Sequence, residues 1–322
     1  MGNRAIASCV AISVVALWLV AAAAPACAQT VATFTRNPSN PILRGVRVGS
    51  EVAAKALGAQ IVHFIPRSES AAEQVGLIDE VVRSKPDAVV LAPFDPKAMV
   101  PAVERLNAAG IAVTNVNERL AGGEVVAYVG TDDYALALAT ARYLIDAMGR
   151  KGNVVILEGP DNLPTSIARV KAYRDGIAAS PDVKLLASKA ANYARAPAVD
   201  AMRSLLRLHP QIDGVLAAND PMAIGAVEAL KAAGRKALVV GINASREVIE
   251  LVKSGELLGS GDYNGFMQGC LATEIALAHL RKQPTPKEIG LKAVVMDKTN
   301  YQAYETPMEQ RTCPTLESAA AR

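Results

Sequence analysis

Three histidines, His63, His209 and His279, are the first residues to weigh for acid–base or metal chemistry, and none has a second ligand at metal spacing on one helix face. They are read as structural or surface residues, and the site is assigned no metal. The chain has no Gly-x-Ser-x-Gly elbow and no Walker loop. Its nearest approach to a dinucleotide fingerprint, Gly259-Ser-Gly-Asp-Tyr-Asn264, lacks the third glycine and opens no early crossover helix. Asp132 and Asp133 are adjacent and so point in different directions, which suits a helix cap better than a paired acid and base. No catalytic set and no cofactor are assigned, and an enzyme is not expected. What remains is a series of polar turns, one after each apolar run: Arg36 to Asn40, Phe94-Asp95, Asn117-Glu118, Thr131-Asp132, Asn219-Asp220, Asn243 and Asp262-Tyr263. Convergent hydrogen-bonding groups without a nucleophile describe a binding cleft.

The elements that must position these turns alternate. Apolar runs at Val31 to Thr35, Ile61 to Ile65, Asp87 to Ala92 and Ile111 to Val116 read as strands, with helices predicted at Ile42 to Leu57, Glu69 to Ser84 and Met99 to Ala109. Asp87 to Ala92 is apolar almost throughout, as in a strand covered on both faces. After Val125 to Val129 the series begins again and runs through Val215 to Ala218, where Asn219 and Pro221 supply a cap and a first-turn proline, to a helix over Ser245 to Ser254. A long helix over Phe266 to Arg281 and one last strand near Leu291 to Met296 follow, and the tail from Thr306 is expected to be loose. Alternating strand and helix imply parallel sheets with helices on both faces, here in two similar α/β halves.

The chain of 322 residues is 51% hydrophobic, ample for two domain cores. Residues 1–28 have the pattern of an export signal: Arg4, an apolar run from Val10 to Ala24, and cleavage after Ala28 in Ala26-Cys27-Ala28. The apolar run is shorter than the roughly 20 residues needed to span a bilayer. Lipidation of Cys27 is the lesser alternative, because no leucine stands three residues before it. The formal charge is only +3 and no basic run stands out, so nucleic acid is not a partner. Cys270 and Cys313 remain after cleavage, in a compartment that permits disulfides, and the sequence leaves open whether they pair.

The chain resembles the ribose/galactose class of periplasmic sugar-binding proteins, the soluble receptors of ABC importers. The resemblance rests on Asn40-Pro41, Leu57-Gly58, Pro93-x-Asp95, Ala109-Gly110-Ile111, Val129-Gly130-Thr131-Asp132 and Arg169 before Tyr173. It continues through His209-Pro210-x-Ile212-Asp213, Asn219-Asp220-x-Met222-Ala223-x-Gly225-Ala226, Ala233-Gly234 and Val239-Val240-Gly241. It covers about residues 31 to 300 in order. The resemblance implies a type I periplasmic-binding-protein fold, with two Rossmann-like lobes hinged by crossings near Thr131, Asp262 and Met296. An N-terminal lobe would comprise residues 29–131 and 264–295, a C-terminal lobe residues 132–263 and 296–305, and residues 306–322 a flexible tail. It also implies a periplasmic monomer that hands a sugar to an ABC permease across exposed faces that include the helix starting at Ile42. A sensory subunit for a chemoreceptor or histidine kinase is the alternative. The lac-repressor family shares the lobes but carries a DNA-binding helix-turn-helix where this chain has an export signal.

By the same resemblance Asn40, Arg169 and Asn219 hydrogen-bond the ligand and Tyr193 lines the pocket. The chain departs from the pattern elsewhere. Ile42 stands where stacking phenylalanines follow Asn40-Pro41, Asn117 replaces an aspartate, and Glu118 stands where arginine is common. Asn243 replaces another aspartate, Arg36 a small polar residue, and Tyr263 a glutamine. Two carboxylates have become amides and a guanidinium is added, so an acidic ligand clamped by Arg36 and Arg169 is expected, such as a sugar acid or phosphorylated polyol. The competing expectation is a neutral sugar or polyol, with Arg36 turned outwards or paired to Glu118.

Overall fold

The structure, a computed structural model, describes residues 28–36, 40–67 and 70–320. The expected export signal, with Arg4 and Cys27, therefore lies outside the described residues apart from Ala28, as do residues 37–39 of the first polar turn.

The first sheet is built from β1 (Thr30–Phe34), β2 (Gln60–Phe64), β3 (Ala88–Leu91), β4 (Ala112–Val116) and β5 (Ala127–Thr131). Between them run α1 (Pro41–Leu57), α2 (Ala71–Gly76), α3 (Ile78–Ser84) and α4 (Val100–Ala108). The second half begins with α5 (Asp133–Ala147) and continues through β6 (Gly152–Glu158), α6 (Pro164–Ala178), β7 (Val183–Ala190) and α7 (Arg195–Leu208). Then come β8 (Gly214–Ala217), α8 (Asp220–Ala232), β9 (Leu238–Ile242), α9 (Arg246–Ser254) and β10 (Gly259–Gly261). The chain returns through α10 (Gly265–Leu280) and β11 (Glu288–Leu291), then forms β12 (Val295–Asp297), α11 (Gln302–Glu305) and α12 (Leu316–Ala320).

Two six-stranded sheets result, ordered β11-β5-β4-β3-β1-β2 and β12-β10-β9-β8-β6-β7. All pairings are parallel except β10 with β12. Both sheets reverse strand order beside their first strand, and in open α/β sheets ligands bind outside the carboxyl ends at such a switch point. The strands are apolar because helices cover both faces: all four residues of β3 and of β8 are buried.

Helix α1 lies against α10 closely enough to require glycine. A Cβ at Gly49 would stand 2.0 Å from the Phe266 carbonyl oxygen, and one at Gly269 2.0 Å from that of Val46. The pair closes one face of the first sheet.

Three expectations are corrected. The helix over Glu69 to Ser84 is two helices, broken between Gly76 and Leu77. Glycine is a poor helix former, and Gln74 is anchored sideways, donating to the Ala92 carbonyl at 3.0 Å and accepting from Phe94 N at 2.9 Å. The last strand is also two: β11 pairs with β5 in the first sheet and β12 with β10 in the second, so the chain changes lobe over residues 292–294, close before Met296. The segment after Thr306 is docked, not loose. Cys313 is bonded to Cys270 on α10, the Arg44 guanidinium pairs with Glu309 at 2.5 Å, and Leu316 N donates to Glu274 at 3.2 Å. Before it, Tyr304 donates to Asp262 at 3.0 Å and Glu305 pairs with Lys253. The tail thus crosses from one lobe to the other.

Candidate ligand-binding site

A cavity of about 370 Å³ lies where the carboxyl ends of both sheets face each other. From the first sheet it takes Arg36 after β1, Phe94 after β3 and Asn117 after β4, with Asn40, Pro41 and Ile42 at the start of α1. The second sheet supplies Thr165 and Arg169 on α6, Asn192 and Tyr193 after β7, Asn219 after β8 and Asn243 after β9, with Tyr263 after β10. Three of these asparagines and the tyrosine beside one stand at tight turns: Asn117, Asn192, Tyr193 and Asn243 have positive φ of 65°, 53°, 58° and 136°. Such backbone costs roughly 1–3 kcal/mol per residue and persists only where surrounding contacts over-determine it.

Those contacts are visible for Asn117. Its N–H donates to Gln268 Oε1 at 3.1 Å and its carbonyl accepts from Tyr128 at 2.8 Å, while Gln268 Nε2 donates to the Tyr263 carbonyl at 2.8 Å. One glutamine on α10 therefore holds a turn from each wall. Asn219 caps α8, accepting from Met222 N at 3.0 Å and donating to the Tyr193 carbonyl at 2.9 Å. Asn40 caps α1 in the same way, accepting from Ile42 N at 3.0 Å. Capping and lining the cleft coincide, because a strand that ends at the cleft must start its helix there.

The charges are internally met. Arg169, buried, donates from Nε to Asp133 Oδ1 at 2.7 Å and from Nη1 to the Ala218 carbonyl at 2.8 Å; the other Asp133 oxygen accepts from Tyr263 at 3.2 Å. Burial pushes the Asp133 carboxyl above the usual range, opposed by Arg169. Arg36, also buried, donates to the carbonyls of Pro93 and Phe94 and to Asn117 Oδ1, and stands 3.9 Å from Glu118. Burial raises the Glu118 carboxyl as well, with Arg36 the chief opposing charge. Two guanidinium groups thus face two carboxylates, which corrects the expectation of a strongly positive pocket: of the two arrangements considered for Arg36, the pairing to Glu118 is the one found. Arg36 also lies over the Phe94 ring, and Arg169 over those of Tyr193 and Tyr263.

With this geometry, comparison with known proteins is decisive. Residues 31–284 match the periplasmic binding protein domain. The chain belongs to that family. Among solved structures this periplasmic binding protein is similar to an ABC transporter periplasmic solute binding protein of Actinobacillus succinogenes 130z with bound D-allose. The two are 32% identical with a TM-score of 0.81, over 86% of this chain and 100% of that one. It is 33% identical over 232 residues to the xylitol-binding protein of Mycolicibacterium smegmatis, covering 71% of this chain and 66% of that protein. A further likeness, 26% identical with a TM-score of 0.76 over 86% of this chain and 93% of the other, is to the fructose binding periplasmic domain of a hybrid two component system. The fold is the type I arrangement, two α/β lobes with parallel sheets.

Of the residues singled out by sequence, the binding protein brings Arg36, Asn40, Ile42, Asn117, Arg169, Tyr193, Asn219, Asn243 and Tyr263 to the cavity wall, while Glu118 stands behind Arg36. Leu163, Thr165, Asn192 and Ala194 also line it and were not anticipated. The turn after β6 carried a readable signal in Pro164-Thr165, a first-turn proline beside a polar residue at a helix start. Asp133 was missed as the partner of Arg169. Asp132 accepts from Ala135 N at 2.9 Å and is the cap, which leaves its neighbour free to turn inward.

Proposed function

We propose that this chain captures a small uncharged sugar or polyol between its two lobes and presents it to the permease of an ABC importer. The observation that carries the proposal is the cavity of about 370 Å³ between the sheets, lined by five asparagines and by arginines whose charges are already offset. That volume suits a small ligand of monosaccharide size, and amides suit hydroxyls because each can donate and accept. The relatives named for xylitol and D-allose bind uncharged polyhydroxylated compounds of that kind.

In this reading Asn40, Asn117, Asn219, Asn243 and the two arginines hydrogen-bond the ligand, while Ile42, Tyr193 and Tyr263 cover its apolar edges. The ligand touches both lobes and favours the closed state by its differential affinity, which the membrane partner then reads. The protein acts as a monomer in the periplasm after cleavage behind Ala28, without cofactor and without turnover, and docks on the permease through faces beside the cleft that include the start of α1. A sensing role is the second reading, favoured by the likeness to the periplasmic domain of a two component system. A permease and ATPase that copurify with the chain support the first reading, and a kinase or chemoreceptor the second.

Thermal denaturation against neutral sugars, polyols, sugar acids and sugar phosphates tests the ligand class. A ligand at 100 times its Kd adds about 2.7 kcal/mol, a clear rise in Tm. Protection by a neutral member is expected; protection by acids alone refutes the uncharged class.

A further inference from the structure

The two guanidinium groups of the cleft differ in how their charge is met, and, granted that the cleft is the ligand site, this bears on ligand charge. Arg169 spends its Nε on Asp133 in a direct hydrogen bond of 2.7 Å. Arg36 spends Nη1 on the carbonyls of Pro93 and Phe94, at 3.1 and 3.4 Å, and Nη2 on Asn117 Oδ1 at 3.4 Å. Its carboxylate neighbour is 3.9 Å away with no hydrogen bond between them. Both residues are more than nine-tenths buried, at 8% and 5% exposure, yet Arg36 Nε and Glu118 Oε1 have no hydrogen-bond partner among the described residues. Glu118 is thus opposed by the Arg36 charge across 3.9 Å, helped by Arg169 and the Thr165 hydroxyl, and Arg36 itself stands on the cavity wall. A ligand hydroxyl beside Arg36 adds no charge to this pair. A carboxylate at the same place would meet a guanidinium whose charge Glu118 already offsets.

We propose that Glu118 is a specificity-determining residue, acting through Arg36, that keeps the cleft electroneutral so that an uncharged polyol is accepted and its carboxylate counterpart rejected. With Glu118 and Asp133 both ionised, the four charged groups sum to zero. Loss of the Glu118 charge leaves one uncompensated guanidinium on the wall of the N-terminal lobe. The conversion needs no change of shape, since Glu118→Gln preserves the side-chain volume.

The test is calorimetric titration of the purified protein with xylitol and xylonate, and with D-allose and D-allonate, pairs that differ in their carboxylate. The unsubstituted protein should prefer the neutral member by on the order of tenfold or more, and Glu118→Gln should shrink or reverse that preference by a similar factor. Glu118→Asp, which keeps the charge, should restore it. A purely structural role for Glu118 would weaken both members equally and leave their ratio where it was.

If neutral ligands bind and Glu118→Gln leaves the ratio within about twofold, this inference falls and the reading of the cleft survives. Binding of no neutral sugar or polyol at all removes both. Should Glu118→Gln fail to fold, the ratio in the unsubstituted protein between pH 7.5 and pH 5 carries the test. The groups facing Glu118 are Arg36, Arg169, Asp133 and the Thr165 hydroxyl. Burial holds its carboxyl above the usual range, and Asp133 moves the same way. The cleft should therefore gain positive charge as pH falls, while an aldonate stays ionised above about pH 4. The neutral preference should shrink, and a flat profile overturns the proposal.

Discussion

Arg169 on the wall of the C-terminal lobe and Arg36 on that of the N-terminal lobe bring the same charge into one cleft, but their surroundings are built differently. The C-terminal wall is saturated: Arg169 bonds Asp133 and the Ala218 carbonyl, Asp133 also accepts from Tyr263, and Tyr173 donates to the Ala217 carbonyl at 3.0 Å. The N-terminal wall leaves Arg36 Nε and Glu118 Oε1 without hydrogen-bond partners among the described residues. Groups tied by direct hydrogen bonds hold their geometry whatever enters the cleft, whereas Arg36 and Glu118 face each other across 3.9 Å without such a bond. On the proposal made above, selectivity belongs to the N-terminal wall.

Removing Asp133 should break the saturated wall at the greatest cost. Asp133→Ala leaves Arg169 buried and uncompensated, and a loss of about 3–5 kcal/mol is expected in urea denaturation. Glu118→Ala, which removes a charge 3.9 Å from Arg36 with no hydrogen bond between the two, should cost clearly less, about 1–2 kcal/mol. Equal losses would erase the contrast between the walls.

The N-terminal lobe takes its reinforcement from behind the cleft, where Cys270 and Cys313 close a loop across 43 positions. Replacing both with serine should cost about 2–4 kcal/mol by thermal or urea unfolding. A loss confined to the tail, with the global transition unchanged, would mean that the strap merely rests on α1 and α10.

Acidity distinguishes the lobes as well. Asp220, under the C-terminal wall, accepts from the Ser260 hydroxyl at 2.5 Å and from Ser245 N at 2.7 Å; burial nevertheless pushes its carboxyl up to about 6, and Asp262 at the crossing likewise to about 6. Both values lie above the unfolded value near 3.9. Between about pH 4 and pH 6 the folded chain therefore holds protons that the unfolded chain has released. Their stabilising contribution is complete below about pH 4 and is lost as pH rises through 6, on the order of 2 kcal/mol for each group. Asp220→Asn, neutral throughout, should flatten the fall in Tm between pH 5 and pH 7. An unchanged slope would remove Asp220 from the account.

The smallest change sharpens the comparison at one atom. Tyr193 donates to Thr165 Oγ1 at 3.2 Å, both within the C-terminal wall. Tyr193→Phe should cost about 0.5–1.5 kcal/mol in stability while ligand selectivity holds.

Much of this architecture was legible in the residues. Runs such as Asp87 to Ala92 and Val215 to Ala218 announce strands covered on both faces, and the alternation with helices implies two parallel sheets, because both signals arise from burial within a few neighbouring residues. The break at Leu77 was not legible, since it depends on Gln74 reaching the chain after β3. Nor was the division of the last strand between two sheets, because an apolar run does not say which edge it will join.

The same division holds at the cleft. The sequence by itself determined which polar residues stand at strand ends, and so which could line a cavity; Asn40, Asn117, Asn219 and Asn243 follow from their place in the alternation of strand and helix. Only the tertiary structure decided the charge of that cavity. Asp133 meets Arg169 across 36 positions of chain, and Glu118 stands beside Arg36 across the first sheet. Coulomb interactions depend on distance in space and on burial, and neither can be read along the chain when the partners come from different strands.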